Sequence, residues 1–552
     1  MEYTNYKTLY DTFLNAVARW GDHPAYGAPP REGRGYHPEG IEFTYGETAA
    51  AVEELKEKYA AAGYGHGHRV ALLLEQRPEL FFHFYALNAL GCSIVPINPD
   101  YKHDELVYQL AHSESCLAVS IDSRISDVTR AARDATGLPV VSFEDFPARL
   151  PLAPLIPING LPGPTTEAAL LYTSGTTGRP KGCVLTNEYF YTFGSWYVQC
   201  GGAIALRPGE DRLYNPLPLH HANALAISAM AMLLTGGCHI CPDRFHATTF
   251  WQDMIASRIT VIHYLGVIPN MLVKQPPTPD ERGHQIRFGL GVGVDPTLHA
   301  VIEERFGFPF VEFWAMTETG RIIVDNHEPR LVHTRAFGRT LPGFEARVVD
   351  DNDEDVPDGT PGELIVRHDA SAPRQGFFSG YLKDEATTET AWSGGWFHTG
   401  DLVTRDATGM YHFVDRKKNI IRRAGENIAA AEIEAVLAVH NKVKQVAVLA
   451  VPDEIREEEV MACVITKSPT DANADLAAEL FDLTFKQLAY FKAPGWVLFV
   501  DQFATTSTQK VQKGKIFPPG IDPRQLPGAI DLRVLKKNPK KNVTSPTLAI
   551  SK

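Results

Sequence analysis

The densest chemistry in the chain lies at residues 168–182. An apolar run, Ala168–Tyr172, feeds directly into Thr173-Ser174-Gly175-Thr176-Thr177-Gly178-Arg179-Pro180-Lys181-Gly182. Glycines let backbone N–H groups close on an anion, hydroxyls donate to it and a lysine adds charge. The chemistry implied is the holding of a phosphate. The spacing G-x-x-G-x-x-K, with no Ser or Thr after the lysine, is not a Walker A loop. A plain Gly/Thr surface loop is the alternative; the hydroxyls and lysine at a strand end weigh against it.

Six further segments carry reactive side chains. They are Trp314-Ala315-Met316-Thr317-Glu318-Thr319, Gly394–Asp401, Asp415–Asn427, Thr506–Lys513, Leu217–Asn223 and the G-x-G-x-G run Gly289–Val294. Taken singly, each has a bland reading: a core aromatic beside a solvated Glu, an Asp in a turn, a solvated charged face, a Lys-rich surface loop, a structural histidine. As a dinucleotide fingerprint the G-x-G-x-G run is weak, and it reads as a turn between a strand and a helix.

Together and in their order along the chain the segments resemble the adenylate-forming superfamily, which includes acyl-CoA synthetases, beetle luciferases and the adenylation domains of peptide synthetases. The resemblance runs from about residue 45 to 517 and is nearest to the acyl-CoA synthetase branch with the crotonobetaine/carnitine-CoA ligases and small- to medium-acid ligases. It implies ATP, Mg2+ and coenzyme A as cofactor and co-substrates. Thr173, Ser174, Gly175, Thr176, Thr177, Gly178 and Lys181 would hold phosphate. Trp314 would stack on adenine with Ala315 and Met316 beside it, Thr317 would bond a phosphate or acyl oxygen, and Glu318 would hold Mg2+, a hard cation that takes carboxylate and phosphate oxygens. Asp401, an acceptor-only carboxylate, would take both ribose hydroxyls. Arg416 and Arg422 would contact the nucleotide, and Gly425 and Glu426 would meet the pantetheine of coenzyme A. Lys510 would reach the α-phosphate during adenylation, His221 would contact or gate the acid, and Gly291 would belong to a glycine wall between nucleotide and acyl group. The chain departs from the family pattern at Trp314, Ala315, His220, Asn419 and Gln509.

The implied reaction joins a carboxylate to the α-phosphorus of ATP, expels pyrophosphate, and then gives the acyl group to a thiol with release of AMP. Positioning and charge neutralisation do most of this work. The family runs the two steps in two orientations of its small C-terminal domain. Rival readings are an adenylating enzyme with another acceptor and, in a different class, an inactive nucleotide-binding protein. For the acid, two histidines and Asn223 line a long apolar tunnel poorly, since unpaired buried polar groups cost about 1–3 kcal/mol each. A small or medium acid is expected, with a betaine-type acid as one candidate because Trp196 would suit a quaternary ammonium; core packing is the plain reading of that aromatic run.

The elements that must position these residues follow from patterning. Residues 68–120 alternate strand-like and helical runs, which argues for a parallel α/β sheet. Residues 340–415 hold short β segments split by Asp/Gly/Pro turns, a small β subdomain. After Asp415 comes a separate α+β unit. The expected fold class is α/β, with a large N-terminal domain of parallel βα sheets plus the β subdomain over 1–415, a small mobile α+β domain over 416–525, and a disordered tail over 526–552. With 66 acidic and 53 basic residues, the net charge of -13 disfavours nucleic acid. No signal peptide and no membrane span are expected. Seven scattered cysteines fit a reducing cytosol, and Cys238 and Cys241 read as core cysteines rather than a metal pair. The expected partner is a small carboxylic acid, with a homodimer as an admissible assembly.

Overall fold

The alternation at residues 68–120 builds a parallel sheet. The structure, a computed structural model, describes residues 7–173, 179–416, 420–503, 511, 513, 516–518 and 521–536. Strands Arg69–Leu73, Ser93–Pro96, Leu117–Ser120 and Val140–Ser142 pair in parallel, and Ser93–Pro96 also pairs with Glu167–Thr173. This is the seven-stranded sheet whose other strands are Lys181–Thr186 and Gly380–Tyr381. Ser93–Pro96 and Leu117–Ser120 are buried at every position, as strands covered on both faces must be. The connecting helix Glu79–Ala89 is buried from Leu80 to Asn88, so it is apolar nearly all round.

A second sheet has eight strands, in the order Ile323–Val324, Phe310–Trp314, Phe288–Val292, Val261–Leu265, Arg212–Tyr214, Cys238–Ile240, Pro24–Ala28, Ile41–Thr44. Its inner strands are parallel and its two edge strands antiparallel. Cys238 and Cys241 are buried free thiols at this sheet. The β segments expected at 340–415 form a five-stranded antiparallel sheet from Ala336–Gly338, Tyr411–Arg416, Phe397–Arg405, Gly362–Arg367 and Glu345–Val349.

The chain divides into two compact units. One comprises Met1–Pro99, Val107–Tyr172 and Gly182–Lys417, and the other Asp100–Leu106, Thr173–Lys181 and Lys418–Lys552. The second contains the long hairpin Val443–Asp453 and Glu457–Thr466, with helices Ala430–Ala438 and Ala474–Gln487 packed through Ile433, Leu437, Leu476 and Leu480. Residues 526–536 depart from the expected disordered tail over 526–552. Ile530–Asp531 pairs with Trp496–Phe499, and Leu532 and Leu535 enter the unit's core. Lys536 donates to Glu459 at 2.6 Å inside it. Those two leucines bury apolar surface that a disordered tail would leave in water. No helix among the described residues is long and apolar enough to cross a membrane.

Candidate active site

Trp314 ends a sheet strand, and Asp401 lies in the strand Phe397–Arg405 of the small β sheet. The structure brings them together: Trp314 Nε1–H donates to Asp401 Oδ2 at 2.9 Å, across 87 residues. Both are buried, Asp401 to 1% exposure. Thr399 Oγ1 accepts the Asp401 amide at 3.1 Å, and Gly400, at φ +70°, turns the chain so that its own amide reaches Glu363 Oε1 at 2.9 Å. Arg416 is the backbone partner of Asp401 in the neighbouring strand.

After Trp314 the chain passes through Ala315 and Met316 into a turn at Thr317–Thr319. Thr319 Oγ1 accepts the Met316 amide at 3.2 Å and donates to backbone carbonyls, which holds the turn. Glu318 is buried in this turn, and its Oε1 accepts the Tyr381 hydroxyl at 2.9 Å. Its carbonyl accepts the Phe378 amide at 3.0 Å. Burial, then the Glu318 charge, push the Tyr381 phenol up, so it stays a donor. Tyr381 lies 63 residues away in sequence and was not among the expected site residues.

The glycine run differs from the expected turn. Gly289 and Gly291 lie inside the strand Phe288–Val292, and only Gly293, at φ +85°, makes the turn. A Cβ on Gly291 would stand 2.3 Å from the Tyr264 carbonyl, and one on Gly266 would stand 1.6 Å from the Gly293 carbonyl. Close approach of neighbouring backbone explains these two glycines. Glu312 pins the turn, accepting the amides of Gly293 at 2.6 Å and Val294 at 3.2 Å and the Tyr264 hydroxyl at 2.8 Å. Burial raises its carboxyl to about 6.

His221 sits just ahead of a π-helical turn, Asn223–Ser228, and stacks at a tilt on His220 with ring centroids 4.4 Å apart. Gln76 fixes the approach, donating to the Leu217 carbonyl at 2.7 Å and accepting from the Leu219 amide at 2.6 Å. A polar cluster follows. Asn215 Nδ2 donates to Asn223 and Ser228 at 2.8 and 2.7 Å, and His263 Nδ1 meets Ser228 Oγ at 2.8 Å. Burial drops His263 to about 3, so its ring is neutral. Trp196 is engaged: its Nε1–H donates to the Ile322 carbonyl at 2.9 Å, and the Arg321 guanidinium stands 5.5 Å from its ring centre.

In the second unit, Arg422 lies in the strand Ile420–Arg423, and its amide reaches Glu458. Gly425 and Glu426 form no extended loop. Ala424 and Gly425, at φ +50° and +88°, make a two-residue hairpin, and Glu426 starts the returning strand. Two successive positive φ values match a type I′ turn, the connection that fits twisted strands. Thr173 ends one strand and Lys181 opens another. Ser174, Gly175, Thr176, Thr177, Gly178, Asn419, Gln509 and Lys510 lie outside the described residues.

Comparison with known proteins identifies the family. The AMP-binding enzyme model matches residues 13–382, and the AMP-binding enzyme C-terminal domain matches residues 432–510. A sulfoacetate–CoA ligase of Cupriavidus necator is 31% identical over 93% of this chain and 97% of its own. A crotonobetaine/carnitine–CoA ligase of Proteus mirabilis is 28% identical over 86% and 92%. A solved malonyl-CoA ligase with methylmalonyl-CoA and AMP bound superposes with a TM-score of 0.72 at 26% identity, over 88% of this chain and 97% of that one. The chain belongs to the AMP-binding enzyme family. It is an AMP-forming ligase that activates a carboxylic acid with ATP and Mg2+ through an acyl-adenylate.

Proposed function

We propose that this ligase passes its acyl group to coenzyme A and that its acid is small and polar. Both curated relatives are CoA ligases by name, and the acids in those names are short and carry a second charged group. The observation that carries the reading is the Asn215–Asn223–Ser228–His263 cluster directly beyond His221. Such a cluster keeps the segment beyond His221 polar, which suits a short acid with polar substituents better than a long alkyl chain.

In this reading Asp401 takes the ribose hydroxyls, with Trp314 orienting its carboxylate. The Trp314–Met316 segment covers adenine, and Arg416 and Arg422 serve the nucleotide. The loop from Thr173 through Thr177 and Gly178 to Lys181 holds the β- and γ-phosphates. Glu318 would hold Mg2+, which would supply positive charge against the phosphates. Tyr381 fixes Glu318, and Thr317 donates to an oxygen at the reacting end. Gly291 and the turn pinned by Glu312 separate acid from nucleotide, and His221 orients the acid's carboxylate. Lys510 steadies the attacking carboxylate and α-phosphate in the first step, and the Gly425–Glu426 hairpin meets the pantetheine in the second. Residues 1–415 would thus bind ATP and acid, and residues 416–525 would supply the lysine and the thiol contact. The seven free, buried cysteines support a reducing, cytosolic setting.

The test is pyrophosphate release with Mg-ATP, coenzyme A and a panel of short polar acids, butyrate, octanoate and palmitate. A short polar acid ahead of palmitate in kcat/KM, with the acyl-CoA as product, is expected. A clear preference for palmitate, or no thioester from any acid, overturns the reading.

A further inference from the structure

Among the described residues Arg321 is a buried cation with no counter-ion, and none of the roles above uses it. It is 4% exposed and lies three residues past Glu318. Nη1 donates to the Gln375 carbonyl at 2.8 Å. Nη2 lies 3.2 Å from His368 Nδ1, but that nitrogen is 2.7 Å from the Gly343 carbonyl. A carbonyl only accepts, so Nδ1 carries its proton toward Gly343 and has no lone pair left for the guanidinium. Nε is buried with no hydrogen-bond partner. Among the described residues no carboxylate forms an ion pair with Arg321. Burial lowers it to about 10, and the more distant Glu188 and Asp369 counter this only in part.

A guanidinium is a planar fork of five donors matched to carboxylate, sulfonate or phosphate. Here the described residues give the fork one firm hydrogen bond, and Nε has none. The rings of Trp196 and Phe377 lie 5.5 and 5.7 Å from the guanidinium carbon and supply no ion pair. Buried arginines are otherwise found paired. Arg321 is therefore held in place and left short of an anion.

Its position says which anion. One segment braces both ends of the 318–321 stretch, because Phe378 N–H binds the Glu318 carbonyl and the Gln375 carbonyl accepts from Arg321. At most about 10 Å of chain separates Glu318 from Arg321, so the arginine lies within a short molecule's length of the proposed reacting end.

We propose that Arg321 is a specificity-determining residue that receives a second anionic group on the acid. The preferred substrate is then a short dianionic acid, with one carboxylate to be activated and a carboxylate or sulfonate at the far end. This rests on the small-polar-acid reading and narrows it. The same uncompensated charge repels a quaternary ammonium, and the arginine already occupies the Trp196 ring that such a group would need.

The test compares kcat/KM for malonate and sulfoacetate with propionate and crotonobetaine, in wild type, Arg321→Gln and Arg321→Lys. Wild type should favour a dianion over propionate by about 10- to 100-fold, the worth of one charge-assisted contact. Arg321→Gln should lower the dianion's kcat/KM by the same factor and change propionate by less than about threefold. Arg321→Lys should recover part of the loss. As an equilibrium check, the better dianion should raise the melting temperature of wild type and propionate should not, a result that stands even if Arg321→Gln folds poorly. Equal factors for both acids in Arg321→Gln, or propionate or crotonobetaine ahead in wild type, overturn the proposal while leaving a small-acid CoA ligase intact. No thioester from any short acid defeats the underlying function instead.

Discussion

Asp401→Asn should weaken nucleotide binding without unfolding the protein. In the structure Asp401 Oδ2 accepts the Trp314 indole N–H at 2.9 Å, and the side chain is 1% exposed. An indole nitrogen can only donate. The asparagine must therefore turn its carbonyl oxygen to Trp314 and offer its NH2 where the ribose hydroxyls are proposed to bind. The ribose loses a charged acceptor and meets a neutral donor. Hydrogen bonds to a charged group contribute about 1.5–3 kcal/mol and neutral ones about 1, so the loss is about 1–2 kcal/mol, or about 5- to 30-fold in Kd. Trp314→Phe is the control: it keeps an aromatic ring where adenine is proposed to stack and leaves the Asp401 carboxyl in place, but Asp401 loses a donor in the fold. That variant should keep AMP binding within about threefold and lose about 1–3 kcal/mol of stability. Isothermal titration with AMP and urea unfolding read the two effects separately. An unchanged Kd in a well-folded Asp401→Asn protein would refute the ribose role.

Three further outcomes are expected. Lys510→Ala should nearly abolish acyl-adenylate formation yet still turn supplied acyl-adenylate and coenzyme A into thioester; equal loss in both half-reactions would remove the assignment. Tyr381→Phe takes a donor from Glu318 and should raise the Mg2+ needed for half-maximal rate by about 10-fold, within the range for residues behind a metal ligand; an unchanged Mg2+ titration contradicts that role. Burial raises the Glu312 carboxyl to about 6, so the folded protein binds a proton there that the unfolded chain has already released. Its contribution favours folding below the ordinary carboxylate range and is lost as pH climbs through about 6. Wild type should therefore lose about 2 kcal/mol relative to Glu312→Gln between pH 4.5 and 7. Parallel urea-derived stability curves for the two proteins would show that Glu312 does not titrate in this window.

The elements were legible because their patterns are strong. The apolar run Arg69–Leu74 read as a strand and the turn-split segments of 340–415 as a small β sheet, and both form as such. Boundaries near glycine were less so. Gly289 and Gly291 read as a turn because glycine usually breaks structure, whereas the strand keeps them for the close passage of Tyr264. Gly425 pointed to a loop, but the turn also draws Ala424 into positive φ, which an alanine side chain does not announce. Candidate site residues in contiguous motifs were nameable from a resemblance, and Trp314 and Asp401 do meet. Tyr381, Gln76 and Glu312 were not nameable, since each acts across a long sequence separation or on backbone amides. Arg321 was hidden for another reason. An arginine beside a motif looks like solvated charge until its burial and missing partner are seen.

The most direct measurement is a single-turnover experiment with excess enzyme-bound Mg-ATP and a saturating preferred acid, run first without coenzyme A. A burst approaching one pyrophosphate per active site, with acyl-adenylate retained, should precede thioester and AMP on addition of coenzyme A. ADP and phosphate as products, or no pyrophosphate until coenzyme A is present, would contradict a reaction that passes through an acyl-adenylate.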